Sequence, residues 1–316
     1  LRHDVARGMF TGLVRSIAGA GAVIAPLPPA AVHAQVVDRS LEVAWQPQPD
    51  PLEPSATAER YHVYTSTDGL LWTREPIVVE GTETSLPLND CEPTYVKVTA
   101  VNQGGESLDS PAVGGRLGST DGPRILYVDG VDREVRTEED PSNDRNWARV
   151  YLPAVLASQP GATIDATTDD DVARIAAENT YDLVVWSTGQ TSTRAQSLTA
   201  TDRATLESML GTETKVILSG AELVWEHIAV GNETTSAFVR DTLGVDYVSD
   251  DAETTSIDAS PLGLGDLAFG DCSVDAPCMH YPDVIAELAG GSVLATYPAG
   301  GAAIVQSEQG VIFGGL

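Results

Sequence analysis

Positive charge is what this sequence most lacks. Lys97 and Lys215 are its only lysines, and 18 Lys+Arg stand against 46 Asp+Glu, a formal net charge of −28 over 316 residues. A surface this acidic repels phosphate backbones and anionic lipid headgroups, which argues against nucleic-acid partners and against docking on an anionic membrane. No run approaches the ~20 apolar residues that a membrane span needs. Cysteine is scarce as well: Cys91, Cys272 and Cys278 are the whole complement. No second Cys/His pair stands at ligand spacing, which argues against a structural zinc site. Hydrophobic residues nevertheless make up 42% of the chain and charged ones 20%. That content supports a buried core and excludes wholesale disorder. Domains of ~100–200 residues make two the natural number for this length.

Cys272 and Cys278 are separated by five residues, one of them Pro277, which suits a small disulfide-closed loop, with two free thiols as the alternative. A disulfide implies an oxidising compartment. The acidic, lysine-poor composition fits an extracytoplasmic or salt-adapted surface. Cys91 reads as a buried small hydrophobe. The chain opens at Leu1 and stops just after a strand-like segment, so it reads as an excerpt of a longer polypeptide, cut within its last domain.

Three segments follow one another. Residues 2–17 have the spacing of an amphipathic helix: Val5, Met9, Leu13 and Ile17 fall four apart, with Phe10 and Val14 on the adjoining edge. A helix this short needs a body to pack on. Residues 1–18 are therefore assigned to an upstream domain, and residues 19–31, with Gly19, Gly21, Pro26, Pro28 and Pro29, to a linker. A competing reading makes Met9–Ala34 a signal peptide, with Ala31-Val32-His33-Ala34 as a cleavage site before Gln35.

Residues 32–117 alternate as short strands. Leu41, Val43 and Trp45 share one face; Tyr61-His62-Val63-Tyr64 follows; Thr67-Asp68-Gly69 is a turn; Tyr95 to Val101 is a strong strand. This pattern indicates an all-β sandwich. Trp45 in an early strand, Tyr61 to Gly69 and Thr94 to Ser107 resemble a fibronectin type III domain. The resemblance implies that Tyr95 occupies the tyrosine-corner position, with Trp45 and Tyr95 as core residues.

Residues 122–316 change to an α/β pattern. Apolar strands are expected over 124–130, 182–187 and 215–220, and helices over 144–157, with Trp147, Val150, Tyr151, Ala154 and Val155 recurring, and over 201–210, capped by Thr201 and ended by Gly211. Ala302–Val305 and Val311–Phe313 read as a terminal hairpin. The fold class is a multidomain chain: the sandwich plus a three-layer, flavodoxin-like α/β domain whose mostly parallel sheet is covered on both faces.

Sites in such sheets lie at the carboxyl ends of the strands. Asp129-Gly130-Val131-Asp132-Arg133, Ser187-Thr188-Gly189-Gln190 and Ser219-Gly220-Ala221-Glu222 end there. The last has the position of a nucleophile elbow, but its apex is Ala221, which has no nucleophilic atom, and Leu223 stands where a small residue is wanted. Asp129-Gly130, Tyr181 to Trp186 and Lys215 to Glu222 resemble a class I glutamine amidotransferase-like domain. The family's cysteine falls at Ala221, so its glutaminase chemistry is expected to be absent. The candidate ligand-binding residues are Asp129, Asp132, Arg133, Ser219 and Glu222. An active hydrolase built on Ser219 or on an Asp129/Arg133 pocket is a further reading.

Other features are bland. Glu222 and His227 read as a polar helix surface, and Asp250-Asp251 as a solvated loop. His280 has no spaced partner, and Asn232-Glu233-Thr234 is a formal glycosylation sequon. Leu262 to Asp266 has two spaced glycines but precedes no clear helix, so it is no phosphate loop.

Asp4 to Arg15 resembles the last helix of a zinc-dependent N-acetylmuramoyl-L-alanine amidase. That resemblance implies a secreted or periplasmic wall-active parent, with peptidoglycan or another envelope glycan as partner and zinc in a domain before Leu1. Within residues 1–316 neither a cofactor, a metal nor a catalytic residue is expected. The chain is thus read as the spacer and binding region of a peptidoglycan hydrolase. The alternative is an extracytoplasmic carbohydrate- or protein-binding protein with no hydrolase partner.

Overall fold

A computed structural model of the chain describes residues 23–89, 92–132, 145–192, 196–269, 280–308 and 310–314. The expected N-terminal helix, Cys91, Arg133 and the Cys272/Cys278 pair lie outside them.

Eight strands come first: β1 (Ala30–Val37), β2 (Ser40–Gln46), β3 (Arg60–Ser66), β4 (Ile77–Val79), β5 (Glu83–Pro87), β6 (Thr94–Asn102), β7 (Gly105–Glu106) and β8 (Val113–Gly115). β1, β2 and β5 pair in one sheet, and β4, β3, β6, β7 and β8 in another. Side chains alternate across a strand, so Val32, Ala34 and Val36 of β1 and Leu41, Val43 and Trp45 of β2 all turn inward. Trp45 meets the Tyr61 ring edge-on at 5.3 Å. Tyr95, at the start of β6, is buried in the same core. The segment before β1 is tied down, because Asn102 Nδ2 donates to Ile24 O at 2.8 Å. Residues 30–34, the end of the alternative signal peptide, are the first half of β1, with Ala31, Val32 and Ala34 buried. Cleavage before Gln35 would cut that strand in two.

Four strands and three helices then alternate: β9 (Arg124–Asp129), α1 (Ala148–Ser158), β10 (Thr163–Thr168), α2 (Asp169–Glu178), β11 (Leu183–Gly189), α3 (Ala200–Leu210) and β12 (Lys215–Gly220). Two wide helical turns, Trp225–Val230 and Phe238–Leu243, flank the short α4 (Glu233–Ala237). The chain ends in β13 (Val245–Ser249), β14 (Ser256–Asp258), β15 (Asp266–Ala268), β16 (Val284–Glu287), β17 (Ser292–Thr296), β18 (Ala302–Gln306) and β19 (Val311–Gly314). β10, β9, β11, β12 and β19 lie side by side and parallel, in that order. β18 and β19 form the expected antiparallel hairpin.

Hydrogen bonding does not stop between the two regions. β1 pairs antiparallel with β10, Ala34 opposite Ala166, so the first sandwich sheet continues into the parallel strands as part of one 14-stranded mixed sheet. Asp165 of β10 sits at this seam with no exposure. Its carboxylate accepts from Val36 N at 2.7 Å, Arg124 Nη2 at 2.7 Å and Tyr181 OH at 2.9 Å.

The core is divided by the sheet. On one face Ile125, Tyr127 and Val185 pack with Ala148, Leu152 and Val155 of α1, in the same cluster as the sandwich interior. On the other, Leu126, Val128, Trp186 and Leu218 pack with Val172 and Ile175 of α2 and Leu206 and Met209 of α3.

Several elements differ from the sequence expectation. The helix expected over 144–157 is α1, whose buried stripe is Ala148, Leu152 and Val155; Val150 and Ala154 are exposed. α3 is capped by Thr199 rather than Thr201: the Thr199 hydroxyl accepts from Asp202 N, and Asp202 Oδ2 accepts from Thr199 N at 2.7 Å. β10 and α2 were not anticipated.

Candidate functional site

Residues paired in register on adjacent parallel strands point to the same face of a sheet. Thr168 pairs with Asp129, Asp129 with Ser187, and Ser187 with Ser219. The carboxyl ends of β10, β9, β11 and β12 therefore carry one polar row, on the face that α1 covers. Tyr151 of α1 closes half of it, its hydroxyl donating to Ser187 Oγ at 2.7 Å and lying 3.4 Å from Ser219 Oγ. Its ring stacks on Tyr127 with centroids 4.9 Å apart. Ser219 is thus held in a hydroxyl chain with no imidazole on it among the described residues.

The other half of the row opens into a cleft of about 80 Å³ between residues 28–31 and the ends of β9 and β10. Asp129, Asp132, Thr168, Asp169, Asp170 and Arg145 line it. Asp129 is 5% exposed; its Oδ1 accepts from Val131 N at 3.2 Å, while its Oδ2 is buried with no hydrogen-bond partner among the described residues. Thr168 Oγ1, next to it in register, is likewise buried and unpartnered. Burial, reinforced by the charge of Asp132, pushes the Asp129 carboxyl up to about 7 against the pull of the Val131 amide. Asp169 is pushed to about 9, by burial first and then by Asp132, Asp202, Asp170 and Asp129. Burial also raises the Tyr127 hydroxyl well above its ordinary value, with Asp129 adding to the effect. Carboxyls held near neutrality in a cleft mark a site more often than a plain surface.

The turn after β12 is a different environment. Gly220 is required by close approach, since a Cβ there would stand 2.0 Å from Thr188 Oγ1. Ala221, at the apex, is fully buried. Its N–H donates to Gly189 O and its carbonyl accepts from Asp283 N, both at 2.8 Å. Glu222 accepts from Ser192 Oγ at 2.6 Å. His227 is buried against Leu223 O at 3.0 Å, so Glu222 and His227 have different partners. Asp283, fully buried, places Oδ2 on the amides of Val224 and Trp225 at 2.9 and 3.0 Å, capping the helical turn that follows.

Of the candidate residues, the fold brings Asp129 and Asp132 into one cleft, sets Ser219 under Tyr151 and leaves Glu222 on the neighbouring turn. Arg133 lies outside the described residues. Thr168, Asp169 and Asp170 were missed, although Thr168-Asp169-Asp170-Asp171 is the acidic first turn that favours a helix start. Asn232 serves as a cap: its Oδ1 accepts from Thr234 N at 2.9 Å. The segment Leu262 to Asp266 links β14 to the strand β15, not to a helix.

Comparison with known proteins reaches only part of the chain. No family model matches the chain, and no curated protein matches it. Solved structures do. Among them are fibronectin type III domains, over about 30% of this chain. The domain from human collagen alpha-1(XX) is 22% identical, with TM-score 0.24, covering 31% of this chain and 90% of that one. The FN5 domain of Drosophila Lar is 24% identical, with TM-score 0.22, covering 28% and 92%. The twitchin kinase region from C. elegans is 20% identical with TM-score 0.25, and this chain spans 16% of its length. At such scores the description of residues 30–115 rests on their own strand pairing.

Proposed function

We propose that this chain is a non-catalytic spacing and recognition unit of a secreted peptidoglycan hydrolase, whose parent activity is that of an N-acetylmuramoyl-L-alanine amidase in cell-wall turnover. The observation that carries the non-catalytic part is Ala221. The position where an amidotransferase-like domain would hold its nucleophile has no reactive atom, is fully buried and is hydrogen-bonded on both sides. The parallel order β10-β9-β11-β12-β19 supports a flavodoxin-like, amidotransferase-like layering for residues 122–316. In that order the winding reverses beside β9, with β10 on one side of it and β11 on the other, and such switch points are where ligands enter parallel sheets; Asp129 and Asp132 stand there. In the parent, zinc would polarise the amide between muramic acid and L-alanine and activate water. The zinc ligands of that activity would come from another domain of the parent. The stand-alone binder drew on a leader ending at Ala34, and the place of residues 30–34 in β1 weakens that support.

Incubation of residues 1–316 with purified insoluble peptidoglycan tests the reading. The protein is expected to pellet with the wall material and to release no soluble peptide. Failure to pellet would remove the recognition role. Metal-dependent release of peptide would remove the non-catalytic one.

A further inference from the structure

The cleft at the ends of β9 and β10 is lined by four aspartates, Asp129, Asp132, Asp169 and Asp170. Every acidic group on it offers hard oxygen, and two buried oxygens on residues paired in register, Asp129 Oδ2 and Thr168 Oγ1, have no hydrogen-bond partner among the described residues. Buried polar atoms are nearly always satisfied, so such a pair asks for an explanation. The two belong to different strands and are brought together by the parallel register. Asp169 enters the same cleft from the first residue of α2, while Asp132 and Asp170 line its mouth. Arg145 is the one basic residue on it among the described residues, and its Nη1 donates to Asp109 O at 3.1 Å.

Among the described residues no three His, Cys, Asp or Glu groups converge as a ready cage. No Cys or His lines the cleft among the described residues, which speaks against a thiolate or imidazole site of the zinc kind. It leaves room for a hard cation that keeps part of its water shell, since magnesium is commonly held by one or two carboxylates plus waters, and calcium accepts carboxylate, hydroxyl and water oxygens in flexible geometry. We propose that the cleft formed by Asp129, Thr168 and Asp169 binds a hard divalent cation, magnesium or calcium. Asp129 and Asp169 supply the charge and Thr168 a neutral oxygen. The cation relieves the mutual repulsion of the aspartates and locks the end of β10 to that of β9, next to the seam with β1.

The site stands or falls apart from wall binding, because its test needs no glycan. Thermal unfolding of the full chain, stripped with chelator and dialysed, is followed while MgCl2 or CaCl2 is added. NaCl at matched ionic strength separates binding from general screening of an acidic chain. The expected result is a saturable rise in Tm with either divalent ion beyond that of NaCl. It should be lost or weakened at least ~10-fold in concentration dependence in Asp129→Asn and in Thr168→Val, following the linkage of ligand binding to stability. Glu207→Gln on the exposed side of α3 should leave the response unchanged. Asp129→Asn removes a buried charge, so its cation-free Tm is expected to equal or exceed that of the native chain while its response disappears; Thr168→Val reports independently should that variant fold poorly. A native response no larger than that of NaCl, or one that survives in both variants, overturns the proposal.

Discussion

Asp283 illustrates what one buried acid does to the stability of this chain. Burial is the first cause that pushes its carboxyl from 3.8 to about 8, with Asp250 and Glu222 adding to it and the two amides it caps pulling the other way. The folded state therefore holds a proton that the unfolded chain has already released. The stabilisation from that proton is complete below about pH 4 and is lost as pH rises through about 8. Asp283→Asn keeps an acceptor oxygen for the amides and removes the ionisation. The variant is expected to be equal to or less stable than the native chain at pH 5 and more stable at pH 9. The gain should be on the order of a few kcal/mol, at about 1.4 kcal/mol for each pH unit of displacement. Denaturant titration at the two pH values measures it, and a pH-independent difference would remove the buried charge from the account. Asp283 was not legible in the sequence, because Tyr281-Pro282-Asp283 looks like any polar turn. Asp129 was legible, since it ends an apolar run and so had to stand at the end of a buried strand. Tyr151 was half legible: its helical position was read, but its hydroxyl reaching Ser187 and Ser219 depends on where α1 lands.

Elements record the same division between side-chain pattern and context. The cap of α3 decides where that helix begins. Thr199 and Asp202 bond each other's backbone amides reciprocally, a capping box with aspartate in place of the usual glutamate or glutamine. Thr199→Ala is expected to cost about 1 kcal/mol, while Thr201→Ala, on the exposed first turn, should change stability by less than about 0.5 kcal/mol. Urea unfolding of the two variants checks the pair, and a larger loss at Thr201 would reverse the assignment. Thr201 drew attention because it stands just before the periodic residues, whereas the acid at the third helical position points back to Thr199. β10 was missed because Thr163-Ile164-Asp165-Ala166-Thr167-Thr168 is too polar for a central strand. Asp165 is tolerated there only because Arg124, Tyr181 and the Val36 amide surround it, partners 16 or more residues away. β9, β11 and β12 carry unbroken apolar runs, and these were read correctly.

For the whole molecule the open question is whether the sandwich and the parallel strands behave as one body. Composition and turns divided the chain near residue 118 into two modules, and nothing in either side-chain pattern marks the pairing of β1 with β10. That contact is made by backbone amides and carbonyls some 130 positions apart, which every sequence possesses. Three observations favour one body. The sheet is continuous through His33 opposite Thr167 and Ala34 opposite Ala166. The core beneath α1 runs from Trp45 and Val98 to Tyr127 and Leu152 without a break. Asp165 is satisfied from both sides of the seam, and removing partners from such a buried ion costs about 3–5 kcal/mol. Two modules on a linker would unfold in two steps; a shared sheet and core couple them. Calorimetry of the chain is expected to give a single transition whose calorimetric and van 't Hoff enthalpies agree. Asp165→Ala should lower that transition as a whole or split it, because it leaves Arg124 and the Val36 amide without their acceptor. Two well-separated transitions in the native chain would mean that the seam is weaker than the cohesion of either side, and that the cleft between residues 28–31 and Asp129 can open.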